Sequence, residues 1–420
     1  MKNNKLKSIS AIALAALLTV SAAGCSNTEA GSGETAVVTQ TADQTMAQTA
    51  TQTAAASMTP SETQAAESAA ATTEASAADT SALFSDRDLE QSADLAAATP
   101  MSLVSNQDVT LREEGVYVLS GDADNVTVTV DAAEDAKVQI VLDGVSITND
   151  NAPAIYVKAA DKVFVTSTDS ENSMEVTGSY VADGETNLDA VIFSRADLTL
   201  NGTGSLAIVS SQGNGISSKD DLKITGGIYS IQSSADALEA NDAILIHDGT
   251  ITIDTGKDAL HSENEEDTTL GNIYIKGGTL TINAADDAIT GNNLVQIDGG
   301  TINIESSVEG IEANNVIVND GQITVYASDD GINATPNVNA NAAIEVNGGT
   351  IKVTMGSGDT DAFDSNGDLF INGGTIDVEA TSAFDADGTA ELNGGTVTVN
   401  GEQITQITQS RGGGGGGRRF

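Results

Sequence analysis

From Leu222 onward, apolar and polar residues alternate in short runs that return at a nearly fixed interval. Aligning the repeats on the glycine that ends each Gly-Gly or Asp-Gly turn puts Gly227, Gly249, Gly278, Gly300, Gly321, Gly349, Gly374 and Gly395 in one column. Their spacings are 22, 29, 22, 21, 28, 25 and 21 residues. The basic unit is therefore 21–22 residues, and the longer steps predict surface insertions at residues 263–271 and 335–342. A period of this size marks a solenoid.

The columns inside the unit say which solenoid. Two residues after the glycine stand Tyr229, Ile251, Leu280, Ile302, Ile323, Ile351, Ile376 and Val397; four after it stand Ile231, Ile253, Ile282, Ile304, Val325, Val353, Val378 and Val399. The positions between them are mostly Thr, Ser or charged, so the period is two, that of a strand with one buried face. A second apolar column runs from Ile224 to Leu392, and a third from Leu238 through Ile311 to Phe384. Three short strands per coil with tight turns predict an all-β, right-handed parallel β-helix. Leucine-rich spacing and a 3.6 period are both missing. Less regular strand patterns at 116–119, 126–130 and 138–142 predict the first coils and an N-terminal cap.

The chain before the repeats reads differently. Lys2, Lys5 and Lys7 precede an apolar run from Ile9 to Val20, and Ser21-Ala22-Ala23-Gly24 leads into Cys25. Small residues ahead of a single cysteine predict a lipoprotein signal at 1–24, with lipidation of Cys25 on the outer face of a bacterial membrane. Residues 25–83, nearly all Ala, Thr, Ser, Gln and Glu, bury too little apolar surface to offset their ordering entropy and predict a disordered tether. The β-helix is expected over 84–408, followed by a flexible Gly/Arg tail at 409–420. The lone cysteine leaves no disulfide and no thiolate metal site.

Composition and charge narrow the partners. Trp is absent and aromatics make up 3%, which suits a core of stacked Ile, Val and Leu. The formal charge is −44, and signal cleavage would remove three lysines and no acid. Nucleic acid and anionic membranes need a basic surface, so contact with a membrane is expected only through the lipid. The charge points to cations, on a chain expected to be monomeric.

The acids are not scattered. Nine residues after the aligning glycine come Asp236, Asp258, Asp287, Glu309 and Asp330, with Asp361 and Ser382 at the matching place in the next two coils. Three residues further on are Glu239, His261, Thr290, Glu312, Asn333, Asp364 and Asp385. Coils stack about 4.8 Å apart, so these positions form two ladders of mostly acidic side chains. Two like charges at that spacing repel by about 3–4 kcal/mol at an effective dielectric near 20. Such a stack favours a bound cation or raised pKa values. Oxygen-only ligands on flexible turns suit Ca²⁺ better than Mg²⁺. The candidate ligands are Asp236, Asp258, Asp287, Glu309, Glu312, Asp329, Asp330, Asp361, Asp364, Asp368, Asp385 and Asp387. The stretches Asp361–Asp368 and Asp385–Gly388, with carboxylates at alternate positions around a glycine, stand out among them. The plainer reading is that turn Asp residues cap backbone amides.

Enzymatic chemistry has few supports. A lyase acting on uronate polymers would need a Lys or Arg base beside a metal; Lys257 next to Asp258 and Lys219 next to Asp220 are the basic residues in place. An adjacent Lys and Asp more often form a surface ion pair. Leu245, Tyr274 and Phe370 share an outward column, but Lys223, Gln296, Ile317, Glu345 and Glu391 interrupt it as a sugar-stacking platform.

Several stretches together resemble a known family: Phe84-Ser85-Asp86-Arg87-Asp88, Lys219-Asp220-Asp221-Leu222-Lys223-Ile224-Thr225-Gly226-Gly227, Glu309-Gly310-Ile311-Glu312 and Ala327-Ser328-Asp329-Asp330-Gly331-Ile332-Asn333-Ala334. The family is the calcium-dependent, cellulose- and pectin-binding β-helix domain of clostridial surface lipoproteins. The resemblance implies a pectate-lyase-like fold, bound Ca²⁺ and polysaccharide binding without established catalysis. The expected function is therefore a surface lipoprotein holding acidic polysaccharide through calcium in its turns. A calcium-dependent lyase and an adhesive stalk are the alternatives.

Overall fold

Most coils of the computed structural model, which describes residues 82–358 and 360–408, consist of three short strands joined by tight turns, and in a few a single strand such as Ile289–Ile297 runs through two of the three places. In one representative coil these are Thr250–Thr255, Leu260–Ser262 and Asn272–Ile275. Each strand pairs in parallel with its counterpart one coil on, as Ile251 does with Leu280 and Leu260 with Ile289. Three parallel sheets result, called first, second and third in that order. Together they form a parallel β-solenoid of about 12 turns. The described residues contain no α-helix. The predicted signal segment, Cys25, the tether up to its last two residues and the Gly/Arg tail lie outside the described residues.

The strands form where the period-two pattern predicts, because alternation lets each bury one face. Thr250–Thr255 alternates exposed threonines and aspartate with buried Ile251 and Ile253, and its neighbours repeat the arrangement. The inward columns stack Ile on Ile along the axis, so one hydrophobic core runs from Leu103 to Val397. In the second sheet, Phe363 and Phe384 take places held elsewhere by Ile or Leu and stack with ring centroids 5.4 Å apart. The aligning glycines have φ between 78° at Gly395 and 129° at Gly249, a left-handed region that other residues enter at a cost.

Polar corners are satisfied by stacking as well. Asn393, Asn372, Asn347 and Asn319 each donate Nδ2–H to the side-chain oxygen one coil below, at 3.0, 3.0, 2.9 and 2.7 Å, and the series ends on Asp298. The last coil is closed by an antiparallel return, Glu402–Ile404 against Thr396–Val399.

The segment around Phe84–Asp88 is neither a coil nor an end cap. The first strand is Thr99–Ser102. Residues 83–91 instead lie along the outer face of the third sheet and touch four successive coils. Asp88 is buried there, within 2.6 Å of Lys162 Nζ, and accepts from Thr199 Oγ1 at 2.9 Å. Lys223 Nζ donates to Leu83 O at 2.8 Å, Gly202 N to Gln91 Oε1 at 2.9 Å, and Arg87 sits 4.5 Å over the Phe164 ring. Arg87 of the strap covers Phe164, which is buried although it points away from the core, and Leu245 in the same outward column is buried as well. Phe370, in the same outward column, is also buried.

Candidate functional site

The two acidic ladders lie side by side on the outer face of the second sheet. Register pairing runs Glu239, His261, Thr290, Glu312, Asn333, Asp364 and Asp385 up one column. The same column continues downward as Ser217, Phe193 and Tyr156. These residues occupy the position beside the inward Ile and Phe column, so the strand's alternation turns them outward.

The other ladder has a structural task. Four of its aspartates accept the backbone N–H of the next ladder residue one coil on. Asp236 Oδ1 takes Asp258 N at 3.2 Å, Asp258 Oδ1 takes Asp287 N at 3.1 Å, and Asp287 Oδ1 takes Glu309 N at 2.9 Å. Asp330 Oδ1 takes Asp361 N at 3.2 Å. Asn214, which the spacing did not reveal, starts the series by accepting Asp236 N at 3.0 Å. The series breaks at Glu309, whose longer side chain instead accepts from Asn333 Nδ2 at 2.9 Å. Turn capping is therefore real at these positions, and it occupies one oxygen of each of these four aspartates. The second oxygen is left for other partners.

Between each outward pair lies an inward small residue: Gly215, Ala237, Ala259, Ala288, Gly310, Gly331 or Ala362. A Cβ on Gly310 would lie 2.3 Å from Gly331 O and 2.5 Å from Val325 Cγ1. The coil is pinched there, which draws successive carboxylates into one tight stack.

Charge compensation divides the ladder. At its lower end Lys219 Nζ lies 3.0 Å from Glu239 Oε1, and Asn214 Nδ2 also donates to Glu239. His261 Nδ1 lies 3.4 Å from Asp236 and 3.7 Å from Asp258, and its Nε2 3.7 Å from Glu263. Burial works against the charge on His261, but the bond to Asp236 and the fields of Asp236, Asp258 and Glu263 outweigh it and lift its pKa to about 9. Higher up this compensation stops. Among the described residues no Lys, Arg or His lies within ion-pair distance of Asp287, Glu309 or Glu312.

The acids respond as crowded carboxyls do. Burial, reinforced by Asp258 and Glu312, pushes Asp287 up to about 7. Burial and the adjacent Glu312 hold Glu309 well above the ordinary carboxylate range. Asp258 rises to about 6 through burial, and Asp330 to about 7 through burial and the field of Asp364. Carboxylate oxygens of Asp287, Glu309 and Glu312 lie within 4.8 Å of one another, as do ligand atoms of Asp236, Asp258 and His261, and of Asp258, Asp286 and Asp287. Thr290, the rung between His261 and Glu312, has a buried hydroxyl with no hydrogen-bond partner. Glu312 is 7% exposed.

The remaining candidates are placed as follows. Asp361, Asp364 and Asp385 are rungs of the ladders, and Asp364 is raised to about 6 by burial and then by Asp361, Asp385 and Asp387. Asp329 is exposed in the turn just before Asp330. Asp368 belongs to the third sheet, where its carboxylate accepts Thr389 N at 2.7 Å. Lys257 is exposed, whereas Lys219 reaches the ladder itself. Asp286 and Asn214 complete the site and were missed because neither falls in a repeating column of like residues.

The chain aligns with a protein of Acetivibrio thermocellus described as carbohydrate-binding domain-containing, 34% identical over 125 residues, which is 29% of this chain and 44% of that protein. The chain thus spans less than half of that relative's length. A solved polysaccharide lyase-like protein from C. thermocellum, a gadolinium derivative, superposes with a TM-score of 0.44 at 24% identity, covering 64% of this chain and 95% of that one. The family profile of carbohydrate-binding domain-containing proteins matches residues 105–362, which include most of the ladder. The chain belongs to the carbohydrate-binding domain-containing protein family.

Proposed function

We propose that the second-sheet ladder binds an acidic polysaccharide such as polygalacturonate through Ca²⁺ held by its carboxylates. The observation that carries this reading is the uncompensated group of Asp287, Glu309 and Glu312, with three carboxylates in mutual reach and a buried, unpartnered Thr290 hydroxyl beside them. The donors are all oxygens, three of them anionic, which fits a hard divalent cation that accepts irregular geometry. Asp287 would keep its Oδ1 on the backbone of Glu309 and offer its second oxygen. An ion at this place would lower the charge repulsion and leave coordination positions for a uronate carboxylate. So acidic a protein could then hold an acidic polymer, which simple electrostatics would otherwise repel. Neutral polymers such as cellulose belong to the same reading where hydroxyls replace carboxylates. The lysine-rich start and Cys25 support placing the protein outside the cell on a lipid anchor. A glycan array probed with and without chelator tests the proposal: polygalacturonate should be retained in Ca²⁺ and lost in EDTA. Equal retention in both would refute the role of the ion.

A further inference from the structure

The strap on the third sheet makes one contact that the ladder chemistry does not use. Lys162 and Asp88 meet there out of water, 8% and 1% exposed, with Lys162 Nζ 2.6 Å from Asp88 Oδ1. Donors hold the carboxylate from both sides. Ser85 donates to Asp88 Oδ2 through its backbone N–H at 2.8 Å and its hydroxyl at 2.7 Å. Thr199 Oγ1 donates to Oδ1 at 2.9 Å, and Thr225 Oγ1 donates to the Asp88 backbone carbonyl.

A second carboxyl completes the group. Asp197 is the register partner of Lys162 one coil on, and its Oδ2 lies 3.9 Å from Lys162 Nζ. Burial lifts the Asp197 carboxyl above the usual range, against the pull of Lys162. The Phe164 ring closes the apolar side, with Lys162 Nζ 5.5 Å and the Arg87 guanidinium 4.5 Å from its centroid.

An amine, a carboxyl and a proton-carrying group enclosed together are what amide formation between side chains requires. Holding the two reactants in contact removes most of the entropic barrier. Burial works against the charge on Asp88, but the bonds from Lys162 and Ser85 keep it ionised, with a pKa of about 2. The ion pair is thus the reactant state, and moving one proton from Nζ to Oδ1 is the uphill step. The neutral amine then attacks Cγ, and the charge that develops on Oδ2 falls on the two Ser85 donors, as in an oxyanion hole. Asp197 accepts the second amine proton and delivers one to Oδ1, which departs as water. One C–N bond forms and one C–O bond breaks; an ammonium and a carboxylate become an amide and a water, with no oxidant or co-reactant.

We propose that Lys162 and Asp88 are a modification site at which the chain closes an intramolecular isopeptide bond, with Asp197 carrying the proton. The bond fastens the strap covalently to the third sheet, whatever the second sheet binds, so the proposal depends on neither calcium nor polysaccharide. Exclusion of water from the site protects the amide once formed.

The test is mass spectrometry of the full chain, intact and after denaturation and tryptic digestion. The native chain should weigh one water less than its sequence requires. Its digest should contain residues 88–112 joined to residues 159–195, with Lys162 uncut. Lys162→Arg keeps a cation for Asp88 but offers no amine, so it should show the full mass and no joined peptide. Asp197→Asn keeps both partners and should close the bond at least about tenfold more slowly after refolding, the smaller end of what a proton-transfer group supplies. A native chain of full mass, or one that loses water without giving the joined peptide, overturns the proposal, and neither result depends on a variant folding. Closure in Asp197→Asn at the native rate overturns the role given to Asp197.

Discussion

Asp287 accepts the backbone N–H of Glu309 through Oδ1 at 2.9 Å, while another carboxylate contact brings it within 4.8 Å of Glu309 and Glu312. One side chain thus serves the stacking of coils and the chemistry on their surface. The two roles can be separated. Asp287→Asn keeps an acceptor for the Glu309 amide and removes the charge; Asp287→Ala removes both. The alanine variant should lose about 1 kcal/mol, the usual consequence of removing the partner of a partly buried amide, whereas the asparagine variant should melt near the native temperature and bind Ca²⁺ less tightly. Differential scanning calorimetry with calcium titration distinguishes the two.

The direction of the pH dependence follows from the raised acids. Asp258, Asp287, Asp330 and Asp364 have folded pKa values of about 6 to 7, above the roughly 3.9 of an unfolded Asp. Between these values the folded chain holds more protons than the unfolded one, so stability falls as pH rises through the window. His261 acts in the same direction. Its folded pKa of about 9 gives stability that is complete below about 6.5 and lost as pH rises through 9. In EDTA, the melting temperature should therefore decline steadily from pH 5 to pH 9. Saturating Ca²⁺ should flatten that decline, and its stabilisation should be larger at pH 8 than at pH 5. A melting temperature that climbs with pH in EDTA would contradict this arrangement of charges.

The strap gives a prediction of opposite sign at the acid end. Burial tends to raise the Asp88 pKa, but bonds from Lys162 and Ser85 prevail and hold it at about 2. Its stabilisation is present above the unfolded value and fades only as pH falls through 2. Asp88→Ala should leave Lys162 without its 2.6 Å partner in a buried place and cost about 3–5 kcal/mol. Equilibrium denaturation reads this loss, and proteolysis should cut first near residue 88.

Close packing behind the ladder predicts another loss. Gly331→Ala would set a Cβ 2.5 Å from Val353 Cγ1 and 2.6 Å from Ala362 O. The backbone on one side cannot yield easily, so the variant should lose about 1–3 kcal/mol as an overpacked core does. The spacing of Asp330 and Asp364 should change with it, and calcium affinity should drop although no ligand is altered.

Much of this was readable from the chain. The period-two columns predicted three sheets because Ile251, Ile253 and their counterparts can be buried only on one face of a strand. The ladders were readable because a fixed repeat length puts Asp236, Asp258 and Asp287 on one line. Three features were not. Asn214 continues the ladder with an amide rather than an acid, so it breaks the pattern by type while keeping it by function. The strap depends on Asp88 meeting Lys162 and Thr199, contacts more than seventy residues away that no local pattern encodes. The division of the ladder into compensated and uncompensated parts depends on Lys219 and His261 turning toward neighbouring coils, which only register can show.

The most direct measurement is polygalacturonate binding by biolayer interferometry, comparing the native chain and Glu312→Gln at matched Ca²⁺ concentrations and in EDTA. The native chain should bind in Ca²⁺ and lose binding in EDTA, and Glu312→Gln should bind at least tenfold more weakly even with Ca²⁺ present. Binding by the native chain that is the same with and without EDTA would contradict the account.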